Sequence, residues 1–182
     1  GAGLSYLPFI AKAATEGLKQ FPIVNAALDA DAGTVTYPAA EHLGVAVDTE
    51  KGLLVPVIKG ADKLSLVELC RAINDLVVTA REGKLQPADY AGGTFSITNV
   101  GVFGIDAGTP IINGDESAIF CMGSIERRPW VVGTGAEERI EPRWVTTLAV
   151  AFDHRIIDGE QGSRFLHDVA SILREPAVAL LF

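Results

Sequence analysis

Residues 153–159 read DHRIIDG and place His154 four residues before Asp158. Histidine changes protonation nearest to neutral pH, so at the end of a rigid element it is suited to taking a proton from an attacking nucleophile. Asp158 has two readings: it can hold the histidine's loop or stabilise a charged imidazole, and with Gln161 three residues on it spells a capping box for a final helix. Other chemistries lack their residues. His42 falls in a strand candidate and His167 on the final helix, and no HExxH, CxxC or carboxylate cluster completes a metal site. Cys70 lies on an apolar helix face and Cys121 inside a continuous apolar run, so both thiols read as inert. There is no GxSxG elbow, and the Gly-rich GGTFSITNVGVFG and MGSI spell neither phosphate-binding fingerprint. What remains is a base, the hydroxyls of Ser96 and Thr98 on a neighbouring strand, and Gly-rich walls. That set suits transfer of a group between two substrates that both enter the site.

The elements that must position these groups follow from periodicity. A first helix, capped by Ser5, runs to about Gln20 with Leu7, Ile10, Ala11, Ala14 and Leu18 on one face, and Pro22 ends it. Three β-rich runs follow: TVTYP (34–38), HLGVAVD (42–48) and GLLVPVI (52–58), the last demoted by Pro56 to an edge or a bulge. Ser65 and Glu68 form a capping box for a second helix from 65 to about Gly83. GGTFSITNVG (92–101) is a strand leaving a Gly pair, and SAIFCMGSI (117–125) reads as a central strand because its apolar run is continuous. Between them VFGIDAGTPIING is a loop long enough to carry function. A hairpin at GTGAEERIEP leads to RWVTTLAVAFD (143–153), the longest strand candidate, and to the last helix over about 159–174 with Phe165, Leu166, Val169, Ile172 and Leu173 inward. The apolar tail AVALLF suits docking on another chain or folding back on its own subunit. The alternation is mixed α/β without a strict βαβ rhythm.

The 182 residues fit one domain with a real core, and a hydrophobic fraction of 48% points to buried strands or a sizeable subunit contact. A net charge of −8 argues against nucleic acid as a partner, since phosphate binding draws on clustered Lys and Arg. No apolar run approaches the roughly 20 residues of a membrane helix. Two cysteines make no disulfide framework and fit a reducing interior.

Six stretches in order, FPIVNAALD, LGVAVDTEKGLLVPVI, GGTFSITNVGVFG, TPIIN, SAIFCMGSI and FDHRIIDGEQGSRFL, resemble the catalytic domain of dihydrolipoamide acyltransferases, the core component of 2-oxoacid dehydrogenase complexes. The resemblance covers residues 5–182 and makes the whole chain one acyltransferase domain. It implies a mixed β-sheet flanked by helices, like that of chloramphenicol acetyltransferase, in a homotrimer with active sites between subunits. Such trimers commonly build a larger hollow core, and cube, larger shell and bare trimer all stay open here; the family's partners are the dehydrogenase and dihydrolipoamide dehydrogenase components, and its compartment is bacterial cytoplasm or, in a eukaryote, the mitochondrial matrix.

The reaction so implied moves an acyl group from a dihydrolipoyl thioester to coenzyme A, the lipoyl group being carried on a domain absent from these 182 residues. The family's HxxxDG signature falls on His154, Asp158 and Gly159, and its strand hydroxyl on Thr98, supplied by the neighbouring subunit. Matching positions place Ser5, Asp48, Thr98, Asn99, Gly123 and Ile125 around coenzyme A. Each has a structural alternative, such as Ser5 as helix cap, Asp48 as turn residue and Gly123 as a site of tight packing. The domain in this family usually has some tens of residues before the point matching Gly1. The surroundings QFPIVNA and GLLVPVI, with GSRFL after the motif, are closer to branched-chain and acetyl members than to succinyl ones. Competing readings are a free-standing acetyltransferase for a small molecule and a structural core subunit with a dead site.

Overall fold

A computed structural model describes residues 5–175; the apolar tail lies outside them. Helix α1 (Leu7–Gln20) has Tyr6 at its N-cap position with no side-chain cap, and Pro8 in its first turn. Ser5 therefore does not cap it. Proline in the first turn gives up an N–H that the helix would leave unpaired anyway, so the helix starts without a side-chain cap. The expectation of one buried face is also corrected: residues 10–18 are buried all round, Lys12 and Glu16 included. Burial is tolerable because Lys12 Nζ is paired, 2.7 Å from Glu16 Oε1 and 3.1 Å from the Leu64 carbonyl.

After α1 come a short exposed hairpin, β1 (Ala27–Asp29) with β2 (Thr34–Thr36), and then β3 (Leu43–Val45), β4 (Val47–Thr49), β5 (Gly52–Leu54) and β6 (Val57–Ile58). The runs 42–48 and 52–58 are thus each broken in two. β3 and β6 belong to the main sheet whereas β4 and β5 form a separate hairpin. Pro56 sits at the second break, where it lacks an N–H for the ladder but its carbonyl accepts from Val45 at 2.9 Å. Helix α2 (Leu66–Arg81) begins with the Ser65–Glu68 capping box that the sequence predicts. Next are β7 (Phe95–Asn99), β8 (Ala118–Met122), β9 (Glu126–Val132), β10 (Arg139–Val145), β11 (Leu148–Phe152) and α3 (Gly159–Arg174).

The main sheet has the order β11-β8-β7-β3-β6, with β8, β7 and β3 parallel and the two edges antiparallel. β8 is interior and buried at every residue, as its continuous apolar run requires. The expected long strand over 143–153 is two strands. Residues 143–145 pair with β9 in the outer hairpin and 148–152 pair with β8, and Thr146 and Thr147 between them bond to Gly123 instead.

All three helices join one core with the sheet face that carries Phe95, Ile97, Phe120 and Met122. Phe165 of α3 meets Phe95 edge-on at 5.8 Å. Gly17 lets α3 approach α1, since a Cβ there would lie 3.0 Å from the Phe165 ring and 3.1 Å from Val169. Side chains alternate along a strand, so Ser96 and Thr98 of β7, and Ile119 and Cys121 of β8, point to the other face. There the cover is the β5 end and the loop around residues 108–114.

Candidate active site

β11 ends at Phe152, and the chain then makes a turn fixed on both sides. The Asp153 N–H donates to the Ser117 carbonyl at 2.8 Å, and the Asp153 carbonyl accepts from Ile156 and Ile157. The Arg155 guanidinium forks onto the Asp153 carboxylate, with Nη2 2.6 Å from Oδ2, and holds that carboxyl below the usual range. Ile157 plugs the core at 1% exposure. His154 is carried exposed on this turn, its ring 5.8 Å from that of Phe152. Asp158 is the N-cap of α3: its Oδ1 accepts from Gln161 N–H at 2.8 Å, and Gln161 Oε1 accepts from Asp158 N–H. Among the described residues no hydrogen bond joins Asp158 to His154, so the geometry displays the capping reading of the motif.

Thr98 lines a cavity of about 450 Å³ on the helix-free face, with Ser96, Val100, Ile119 and Cys121 as strand wall and Gly108–Gly114 as loop wall. Thr98 and Cys121 are register partners on adjacent strands. Burial pushes the Cys121 thiol up, keeping it protonated and in agreement with an inert role. Among the described residues no Lys, Arg or His lines this cavity, His154 included. Sequence reasoning missed one cluster behind it, in which Ser96 Oγ donates to Glu116 Oε1 at 2.9 Å and Asn113 Nδ2 donates to the same oxygen at 3.3 Å. Its only sequence signal was the length of the loop that carries Asn113.

Ser5, Asn99, Gly123 and Ile125 share a second cavity of about 530 Å³ on the opposite face, with Asn74 and Arg81 of α2. Asn99 and Thr98 therefore face away from one another. The Asn99 Oδ1 is buried and unpartnered. Gly123 has a packing reason for being glycine, since a Cβ would overlap the Asp106 carbonyl oxygen. Asp48 is exposed on β4, paired with Leu53, and lines neither cavity. Among the described residues no His, Cys, Asp and Glu cluster has the makings of a metal site.

A fixed turn presenting a histidine and a strand hydroxyl in a cavity can together serve acyl transfer, and comparison with known proteins gives the same direction. The profile of the family 2-oxoacid dehydrogenases acyltransferase (catalytic domain) matches residues 2–181. The chain belongs to this family. Among acyltransferase relatives, the dihydrolipoyllysine-residue acetyltransferase component of the pyruvate dehydrogenase complex of Mycobacterium bovis is 46% identical over 178 residues, 97% of this chain and 32% of that protein. The succinyltransferase component of the 2-oxoglutarate dehydrogenase complex of Rickettsia felis is 43% identical over 178 residues, 98% and 43% of the two chains. The chain thus spans well under half the length of these relatives.

Two solved acyltransferase structures superpose with a TM-score of 0.90. One is the Azotobacter vinelandii dihydrolipoamide acetyltransferase, studied for the catalytic role of a serine, a histidine and an asparagine (32% identity, 99% of this chain and 72% of that one). The other is the cubic core of a pyruvate dehydrogenase multienzyme complex (33% identity, 99% and 72%). A chloramphenicol acetyltransferase at 16% identity and a TM-score of 0.58, covering 94% of this chain and 79% of that one, shares the fold.

Proposed function

We propose that this domain transfers an acyl group from a dihydrolipoyl thioester to coenzyme A, at a site shared by two copies of the chain. The observation that carries the reading is the division of the catalytic groups. Among the described residues, Thr98 lines a cavity with no histidine in its wall, on the sheet face opposite the three helices, while His154 stands exposed on a pinned turn outside that cavity. A neighbouring copy in a homotrimer supplies the missing half to each. In the Azotobacter protein, the histidine and asparagine studied stand four residues apart, as His154 and Asp158 do.

The coenzyme A thiol, with an ordinary pKa of about 8.5, is mostly protonated at neutral pH and a poor nucleophile. His154 takes that proton as the sulfur attacks the thioester carbonyl, and the new C–S bond leaves an oxyanion on the tetrahedral carbon. The Thr98 hydroxyl donates to it, an interaction of the order of 3 kcal/mol in such sites. Collapse breaks the bond to the dihydrolipoyl sulfur, which takes the proton back from the imidazolium. Asp158, by capping α3, holds the turn that aims the histidine.

Ser5, Asn99, Gly123 and Ile125 of the second cavity are the proposed coenzyme A contacts, and Arg81 in the same lining offers a guanidinium to a phosphate; Asp48, outside that cavity, is proposed as a contact on the family resemblance alone. The acyl group in this reading is uncharged, acetyl or branched-chain: this chain's wall of the Thr98 cavity is largely apolar, with Leu53, Val55, Ile112 and Ile119, and suits an uncharged group better than a succinyl carboxylate, whose burial is costly. The lipoyl group arrives on a separate domain, and the assembly serves a 2-oxoacid dehydrogenase complex with its dehydrogenase partners.

The test is to incubate the domain with coenzyme A and acetyl-, isobutyryl- or succinyl-dihydrolipoamide and follow acyl-CoA. Turnover with the uncharged donors is expected. A folded, oligomeric sample with no turnover contradicts the activity, and a preference for succinyl contradicts the acyl assignment.

A further inference from the structure

The loop wall of the Thr98 cavity, Gly108–Gly114, has no regular secondary structure, so something other than a ladder must fix it. Two contacts do so. At one end Gly108 packs against Cys121, whose Sγ would lie 3.6 Å from a Cβ at that position. At the other, Glu116 gathers Ser96 and Asn113: Ser96 Oγ donates to Oε1 at 2.9 Å, Asn113 Nδ2 donates to Oε1 at 3.3 Å, and Asn113 Nδ2 also reaches Ser96 Oγ at 3.5 Å. Ser96 stands two residues before Thr98 on the same face of β7, so this clasp joins the strand that carries the hydroxyl to the loop opposite it. The carboxyl is packed in from behind, since a Cβ on Gly93 would lie 3.1 Å from Oε1. Among the described residues Glu116 Oε2 is buried with no partner, an unfavourable arrangement that the rest of the fold must sustain. Burial raises the Glu116 pKa, which favours the neutral acid, and both donors still find Oε1 in that state.

We propose that Glu116 is a positioning residue for the acyl-donor side of the site: through Ser96 and Asn113 it fixes the 108–114 wall against Thr98 and so sets how tightly the acyl thioester is held. The inference rests on the reading that this cavity receives that thioester. Its chemistry requires an acceptor at Oε1 and not a charge. Glutamine should therefore replace glutamate, and alanine should not.

Steady-state kinetics of the oligomeric domain test it. For Glu116→Ala we expect the KM for acyl-dihydrolipoamide to rise about tenfold, with kcat and the KM for coenzyme A within about twofold of wild type. Glu116→Gln should restore the donor KM, and Asn113→Ala, which cuts the clasp from the loop side, should reproduce the rise if Glu116→Ala folds poorly. Amide hydrogen exchange over residues 109–113 should accelerate in Glu116→Ala and in Asn113→Ala but not in Glu116→Gln. An unchanged donor KM in an active Glu116→Ala, or a Glu116→Gln as impaired as the alanine variant, overturns the role. Exchange over 109–113 that is unaffected in both clasp variants overturns the clasp itself. A wild-type domain without transferase activity would defeat the functional reading, and the exchange measurement would still decide whether the clasp exists.

Discussion

His154 is exposed and makes no hydrogen bond that the turn needs, so its removal should cost activity without costing the fold. We expect His154→Ala to lower kcat by about a thousandfold or more with an unchanged melting temperature, read by acyl-CoA formation and thermal unfolding of the same sample. Asp158 acts on the other side of that balance. Asp158→Ala should lose about 1 kcal/mol of stability, whereas Asp158→Asn keeps an N-cap acceptor and should hold the melting temperature. The positions of both residues were legible because their spacing carries a local meaning, a histidine just past a strand end and a cap before a helix. Glu116 was not: it stands beside Asp115 in a polar loop, and its partner Ser96 is 20 residues earlier, so only the folded sheet brings them together. The alternation along β7 was present in the sequence, and it separates Thr98 from Asn99, which the family resemblance alone had grouped around one ligand.

The elements came through where their signals are local. The capping box of α2, the apolar run of β8 and the Phe165–Val169 face of α3 are all as periodicity requires. The strand breaks at Ala46, Pro56 and Thr146–Thr147 were hidden, apart from the proline, because the β pattern runs through them and only the change of pairing partner interrupts it. The all-round burial of α1 was hidden for a similar reason. Lys12 and Glu16 are polar residues whose burial depends on tertiary neighbours such as the Leu64 carbonyl, 3.1 Å from Lys12 Nζ and 52 residues away in the chain. Gly123 links two elements, the end of β8 and the loop at Asp106, with room for no side chain. Gly123→Ala should therefore destabilise the domain by about 3 kcal/mol or more, measured by denaturant unfolding, because the obstacle is backbone and cannot rotate away.

At the scale of the whole molecule, Glu41 gives the fold a dependence on pH. Burial, with Asp62 beside it, pushes its carboxyl from 4.5 up to about 8. Between those two values the folded chain holds a proton that the unfolded chain has released, so this group's contribution falls as pH rises and is lost by the time pH passes 8. Glu41→Gln should flatten that decline, so that its melting temperature gains on wild type by a few degrees between about pH 5 and about pH 9. Assembly is the larger question at this scale. The sheet face bearing Thr98 has none of the three described helices, and His154 lies outside the Thr98 cavity. In the proposed reaction two copies therefore form one site. Co-assembly of His154→Ala and Thr98→Ala chains tests this most directly. Each variant alone should be nearly inactive, and an equal mixture, dissociated and reassembled, should recover about a quarter of wild-type turnover, the fraction of sites that join two intact halves. A mixed assembly no more active than its parents would contradict the shared site.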